Sequence, residues 1–109
     1  MQTLEQLNDE FRAEGAVTYN LGKGRLPLAD LVCAQSSAVV SLHGGHVMSF
    51  RPAGARDLLW MSEHSWHAEG KPLRGGIPVC WPWFGAHPSK PELPAHGFAR
   101  LSRWEVVGA

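Results

Sequence analysis

This sequence lacks an excess of charge of either sign. Ten basic residues balance ten acidic ones over 109 residues, and lysine and arginine do not occur in runs. Nucleic-acid-binding proteins carry a broad basic face, so the balance argues against a nucleic-acid partner. Any anion that the chain binds is expected to be small and held by a few local residues.

Long apolar runs are also missing. No stretch approaches the roughly 20 apolar residues of a membrane-spanning helix. The N-terminus, MQTLEQLNDEF, has acidic residues where an export signal has a basic segment followed by an apolar core. We therefore expect a soluble, cytoplasmic protein with no membrane partner.

Cysteine is scarce, because the chain contains only Cys33 and Cys80. Two cysteines this far apart, in a chain without an export signal, predict reduced thiols rather than a disulfide.

Two histidine pairs have the spacing found in some zinc proteins: His43 with His46, and His64 with His67. Residues three apart on a strand point to opposite faces, and no pair of cysteines completes a tetrahedral set. We expect no metal, with a zinc site as the less favoured alternative.

The composition is that of a globular protein, with 44% hydrophobic and 18% charged residues, and the length allows one domain at most. Residues 3–14 predict a helix. Thr3 and Gln6 have the spacing of a capping box, and Gly15 is placed to end the helix. Three apolar side chains recur at helical spacing: Leu4, Leu7 and Phe11.

After Gly15 the apolar residues follow the period of strands. The segments are rich in β-branched, leucine and aromatic residues and are separated by Gly, Pro, Ser or Asp. No helical segment lies between them to cover a parallel sheet. The sequence thus predicts a mainly β, antiparallel fold with at least five strands and no βαβ unit. The predicted strands are VTYNLG, LADLVCAQ, AVVSLHG, HVMSFRPAG, DLLWMS, IPVCW and RWEVVG.

The last segment, RLSRWEVVGA, has a strand-like order with no turn or cap behind it. An uncovered sheet edge exposes unpaired backbone donors and acceptors. We therefore expect residues 1–109 to form a single partial domain, the front of a longer sandwich, and the isolated chain to self-associate.

A mixture of residues that core packing does not require occurs in RGGIPVCWPWFG and in the HGFAR that follows it. Pro78 and Pro82 lack a backbone donor, so the first segment must run along an edge or in a loop. Gly75 and Gly76 permit unusual backbone angles and predict a close approach of the chain to a ligand.

The same two segments carry side chains suited to a small, hydroxylated anion. Arg74 and Arg100 are forked donors that fit carboxylate or phosphate, and His96 can exchange a proton near neutral pH. Aromatic rings can pack on the apolar face of a sugar, although in a β protein they more often belong to the core. The candidate rings are Trp81, Trp83, Phe84 and Phe98.

Four motifs, VSLHGGHVMSFRP, DLLWMSE, LRGGIPVCWPWFG and LPAHGFAR, stand in this order over about residues 37–104, and a tryptophan follows. They resemble the N-terminal part of the hexose-6-phosphate mutarotases, the glucose-6-phosphate 1-epimerase branch of the aldose 1-epimerase superfamily. The resemblance implies a β-sandwich of the galactose-mutarotase type, with the sugar in an open cleft on one large antiparallel sheet.

The resemblance also implies an activity, the interconversion of the α and β anomers of a hexose 6-phosphate by opening and closing the ring, without a cofactor. It assigns Arg74 and Arg100 to the sugar phosphate and His96 to the orientation of the sugar. The family's acid, a histidine, and its base, a glutamate, lie beyond the HGFAR motif, at positions expected downstream of Ala109. We therefore expect no catalytic residue within residues 1–109, and an inactive isolated chain.

A second function remains open. A non-catalytic sugar-phosphate-binding or regulatory β module would use the same arginines and aromatic rings without any acid–base pair.

Overall fold

The structure, a computed structural model, describes residues 1–109. Four strands form one antiparallel sheet in chain order, and a short helix precedes them. The strands are β1 (Val17–Leu21), β2 (Pro27–Val32), β3 (Ser36–Ser41) and β4 (His46–Pro52). A mainly antiparallel fold with one short helix is thus confirmed. The helix has seven residues, and no helix has the length and apolar character needed to cross a membrane.

Helix α1 (Leu4–Glu10) begins at the predicted capping box. The Thr3 hydroxyl accepts the Gln6 backbone N–H at 3.1 Å, and the Gln6 side chain accepts the Thr3 N–H at 2.9 Å. These two bonds satisfy backbone donors that the first turn of a helix leaves free.

The predicted end of the helix at Gly15 is wrong. The helix ends at its C-cap, Phe11, because the chain then closes a tight turn in which the backbone groups of Ala13 and Val17 bond to each other at 2.8 and 3.0 Å. Gly15, with φ of +71°, lies in this turn at the start of β1.

The core lies between α1 and one face of the sheet. Leu7 is fully buried there against Tyr19, Ala29 and Leu42, and the other two residues of the predicted helical stripe pack around it. Asn8 fixes the helix to the edge strand, since its side chain both donates to and accepts from the Tyr19 backbone at 3.0 Å. The helix therefore covers one face and leaves the other to later segments.

The prediction of at least five strands is wrong, because DLLWMS, IPVCW and RWEVVG form only isolated bridges. In the first of these segments Met61 bridges Gly75, and the side chain of Asp57 binds the start of the segment to β4. The Asp57 carboxylate accepts the Ser49 hydroxyl and the backbone N–H groups of Phe50 and Leu59, the last two at 3.1 and 2.9 Å. These bonds lower the pKa of Asp57, the Ser49 bond most of all, and they hold the start of the segment against β4, where the Leu58 N–H also donates to Phe50 O at 2.9 Å.

The other two segments pair at single points. Ile77 bridges Val47 and Trp81 bridges Gly97, while the prolines between and after them offer no backbone donor. Arg103 bridges His43 in the turn before β4. The segment from Ile77 to Trp81 thus pairs with β4 at Ile77 and forms no strand, in agreement with the two prolines.

Large apolar side chains remain exposed on this molecule. Trp60 and Trp66 are each 72% exposed, and Val107 is 92% exposed. Exposed apolar surface promotes association, so we expect residues 1–109 alone to form dimers or larger species in sedimentation velocity experiments. The double variant Trp60→Ser, Trp66→Ser should shift the distribution towards monomer. A monomer at high protein concentration would contradict the prediction.

Candidate functional site

The three predicted binding residues lie around one cavity of about 360 Å³. Arg74 enters it from the RGG segment, and His96 and Arg100 enter it from the HGFAR segment. The remaining lining residues are Leu73, Gly75, Gly76, Pro78, Cys80 and Phe84. The volume is within the usual range for small-molecule sites, and no acidic side chain lines the cavity.

A neighbouring cavity of about 340 Å³ shares Leu73 but has a different character. Its charged lining residues, Lys23 and Glu63, have opposite signs, and apolar side chains such as Met48 fill much of the remaining wall. The cavity lined by Arg74 and Arg100 has two positive side chains and no negative one, so it is the better candidate for an anion site.

The two glycines after Arg74 allow the chain to pass close to its own backbone. Gly75 and Gly76 have φ of +106° and +60°, and a Cβ atom would lie 2.2 Å from Trp60 O in the first and 2.3 Å from Val47 O in the second. Such distances exclude any side chain. The groups that approach these glycines closely are therefore the backbone carbonyls of Trp60 and Val47, where the sequence predicted a ligand. Both glycines also line the cavity.

The backbone of Arg74 is hydrogen-bonded on both sides, and its side chain is exposed to solvent. Its N–H donates to the Ser65 hydroxyl at 3.1 Å, and its carbonyl accepts from the Ser62 N–H at 2.9 Å. The side chain is exposed. An anchored backbone with a long, exposed guanidinium suits the binding of an anion from solvent.

The ring of His96 is oriented by Gly85. The Gly85 N–H donates to His96 Nδ1 at 2.9 Å, and the His96 N–H donates to Gly85 O at 2.9 Å. An Nδ1 that accepts is unprotonated, so the neutral ring carries its proton on Nε2. His96 therefore offers an N–H donor through Nε2, and the Phe84 ring lies beside it at 4.8 Å between centroids.

Gly97 joins the two motifs. The carbonyl of Trp81 accepts the N–H groups of Phe98 and Ala99 at 2.9 and 3.1 Å. A Cβ on Gly97 would lie 2.1 Å from that carbonyl oxygen. This contact sets the position of His96, which precedes it, relative to the RGG segment.

Gly97→Ala is expected to destabilise the protein by about 2 kcal/mol more than Gly85→Ala. Both glycines have positive φ, +76° and +71°, but Gly85 has nothing within 4 Å of an added Cβ. The pair therefore separates the cost of the backbone angle from the clash with Trp81. Urea unfolding measures the difference, and equal losses would show that the clash relaxes freely.

Arg100 is half-buried and carries its charge close to that of Arg74. Its Nη2 donates to Ala95 O at 2.9 Å. Burial lowers the pKa of Arg100, and the positive charge of Arg74 lowers it further. Two cations that repel each other in a cavity without a carboxylate favour a bound anion.

The aromatic candidates are divided between packing and exposure. The Trp83 indole donates to Pro94 O at 3.0 Å and packs edge-on against Phe98, with centroids 5.0 Å apart. Trp81 and Phe98 border a separate shallow cavity beside Trp104. The structure therefore does not bring Trp81, Trp83 or Phe98 to the cavity lined by Arg74 and Arg100, which we call the arginine cavity. Phe84, 81% exposed, does line it.

Comparisons with known proteins identify the family. The family model described as aldose 1-epimerase matches residues 31–109. This chain belongs to the aldose 1-epimerase family.

Two bacterial relatives share the name "Putative glucose-6-phosphate 1-epimerase". The protein of Escherichia coli strain K12 is 42% identical over 89 residues, which is 79% of this chain and 30% of that protein. The protein of Salmonella typhimurium strain LT2 is 40% identical over 93 residues, or 83% of this chain and 31% of the relative. This epimerase-family chain thus spans about 30% of the length of these relatives.

A solved structure shows the same fold. The crystal structure titled as a "putative mutarotase (YeaD)" from Salmonella typhimurium superposes with a TM-score of 0.80 and 34% identity. The match covers 89% of this chain and 32% of that one. The likeness to the mutarotase fold that the motifs implied is confirmed.

Two buried histidines of this epimerase-family chain were considered above only as metal ligands. His43 and His46 are 2% and 1% exposed, and their Nε2 atoms lie 2.6 Å from the carbonyls of Lys71 and Gly75. A carbonyl only accepts, so both Nε2 atoms carry protons and cannot bind a metal. No group of three or more His, Cys, Asp or Glu side chains is placed to hold a metal ion.

Sequence reasoning missed the places of Cys80 and His46. Cys80 is a free thiol in the lining of the arginine cavity, and His46 lies behind the two glycines of the RGG motif. The available signal was their position inside the family motifs, PVCW and HGGH. The burial of a residue depends on which segments of the chain meet, so sequence spacing alone gave no reason to choose Cys80 or His46.

Proposed function

We propose that the full-length protein interconverts the α and β anomers of a hexose 6-phosphate, and that residues 1–109 supply its phosphate-binding site. The observation that carries this proposal is the meeting of Arg74, His96 and Arg100 around one cavity without an acidic side chain. The names of the relatives support the substrate class, since both refer to glucose 6-phosphate.

The charges fit a phosphate ester. A phosphate monoester carries about −1.5 to −2 charges at pH 7 and three acceptor oxygens. Two guanidinium groups can each donate two parallel N–H bonds to such a group. Arg74 is exposed and Arg100 is half-buried, and both line the cavity, so a phosphate bound there could contact both guanidinium groups.

The sugar would lie next to the phosphate. The Nε2–H of His96 is placed to donate to a sugar oxygen, because Gly85 occupies Nδ1. The exposed ring of Phe84 offers an apolar face beside it. These groups orient a sugar without transferring a proton.

Ring opening requires more than these residues provide. A base must remove the proton of the anomeric hydroxyl while an acid protonates the ring oxygen. The bond between C1 and the ring oxygen breaks as the C1 hydroxyl becomes an aldehyde, and it re-forms on the other face of the aldehyde. No net oxidation or group transfer occurs, so the reaction needs no electron or group carrier. We assign the acid and the base to residues outside 1–109, since no carboxylate lines the cavity and His96 is already paired at Nδ1.

A non-catalytic sugar-phosphate-binding module is the second candidate, favoured by the same lack of a carboxylate. NMR exchange spectroscopy with the full-length protein distinguishes the two. We expect faster exchange between the anomers of glucose 6-phosphate than between those of glucose. Saturable binding of glucose 6-phosphate without faster exchange would favour the binding module.

A further inference from the structure

Two buried polar atoms beside the cavity have no hydrogen-bond partner within the protein, His46 Nδ1 and Arg100 Nε. The bond of His46 Nε2 to the Gly75 carbonyl fixes the ring proton on Nε2. His46 Nδ1 therefore carries a lone pair and can only accept, whereas Arg100 Nε carries a hydrogen and can only donate. The two unpaired atoms are complementary.

The two residues are neighbours in the fold. A Cβ on Gly44 would lie 2.8 Å from Arg100 O and 3.2 Å from Arg100 Cα, so the backbone of Arg100 crosses the turn that leads into β4. His46 is the first residue of that strand, and its Nε2 would lie 3.0 Å from a Cβ on Gly76, which lines the cavity.

The electrostatics agree with this proximity. Burial lowers the pKa of His46; the bond to Gly75 opposes the shift, and the positive charges of His43 and Arg100 add to it. The lowered pKa favours the neutral form of His46, and the guanidinium of Arg100 contributes to this shift. Because an unpaired buried donor or acceptor is unfavourable, a hydrogen bond that joins Nε–H to Nδ1 would be favourable.

We propose that His46 is a positioning residue for the phosphate site, whose Nδ1 accepts the Nε–H of Arg100, directly or through one water molecule, when the anion is bound. Nη2 already donates one hydrogen to Ala95 O. With Nε also engaged, the guanidinium is held at two points and presents Nη1 and the second Nη2 hydrogen to the phosphate. This inference rests on the proposed function, because it assigns His46 to the same phosphate.

Two substitutions in the full-length protein separate the two ring nitrogens. His46→Gln keeps a donor that can reach Gly75 O and loses the acceptor at the Nδ1 position. His46→Asn keeps an acceptor near the Nδ1 position and loses the donor to Gly75. We expect His46→Gln to weaken the binding of glucose 6-phosphate about twofold to tenfold in calorimetric titrations, with glucose unaffected. His46→Asn should retain the preference for the phosphorylated sugar.

The outcomes separate this inference from the function itself. Equal losses for both sugars, or a larger loss of phosphate preference in His46→Asn than in His46→Gln, would overturn the positioning role. If Arg100→Ala removes the preference for phosphate but His46→Gln does not, only the role of His46 fails. If Arg100→Ala leaves the preference intact, the phosphate site fails as well.

Nitrogen-15 NMR of the unsubstituted protein decides the matter if the variants do not fold. We expect the His46 ring to be protonated at Nε2 and unprotonated at Nδ1. On titration with inorganic phosphate, the Nδ1 resonance should move in the direction of a hydrogen-bonded nitrogen. A resonance that stays in place while phosphate saturates the site would overturn the proposal.

Discussion

Residues 1–109 alone are expected to leave the anomer exchange of glucose 6-phosphate at its rate in buffer, whereas the full-length protein accelerates it. Each positioned acid or base contributes about 10²–10⁴-fold to a proton transfer, so the absence of both removes most of the acceleration. The cavity is lined by two arginines and by His96, whose Nδ1 accepts from Gly85, and no carboxylate lines it.

NMR exchange spectroscopy measures the exchange directly, with the full-length protein as the positive control. Glu92, the carboxylate nearest in sequence to the HGFAR motif, is exposed and does not line the cavity. Faster exchange by residues 1–109 that is lost in His96→Ala or Glu92→Ala would show that the chain contains its own acid or base.

The local parts of the fold could be predicted from the sequence. The capping box at Thr3 and the first four strands depend on neighbouring residues, and the structure reproduces them. The end of α1 could not be predicted, because the turn between Ala13 and Val17 competes with the helix for the same backbone groups. The carboxylate of Asp57 likewise accepts the backbone N–H groups of Phe50 and Leu59 in a segment whose leucine and tryptophan content is typical of a strand.

The candidate site divides in the same way. Arg74, His96 and Arg100 could be chosen from the sequence, because they occur together in two motifs that resemble those of the mutarotase family. Their convergence depends on the contact of Gly97 with the Trp81 carbonyl, which no local pattern encodes.

The aromatic rings show a further limit. Trp83 and Phe84 are adjacent in sequence, but one packs against Phe98 and the other is exposed at the cavity. Composition identifies such rings as core or ligand contacts without deciding between them, because their burial depends on distant segments.

Arg100→Ala in the full-length protein is expected to weaken the binding of glucose 6-phosphate roughly 10- to 150-fold and that of glucose far less. A hydrogen bond between charged groups contributes about 1.5–3 kcal/mol, and the half-buried guanidinium of Arg100 makes only one bond within the protein, to Ala95 O. The Nη1 hydrogens and the second Nη2 hydrogen are therefore available to an anion, whereas the uncharged hydroxyls of glucose would form weaker hydrogen bonds with them.

Arg103→Ala is the matched control for this experiment. Arg103 lies three residues further along the chain, but its guanidinium donates to the Gln2 carbonyl and does not line the arginine cavity. Calorimetric titration of each variant with glucose 6-phosphate and glucose should show the loss for Arg100→Ala alone. Arg100→Lys keeps the charge without the fork, so an intermediate affinity is expected if the two parallel hydrogen bonds matter. Equal losses for both sugars in Arg100→Ala, or an equal effect of Arg103→Ala, would show that Arg100 does not bind the phosphate.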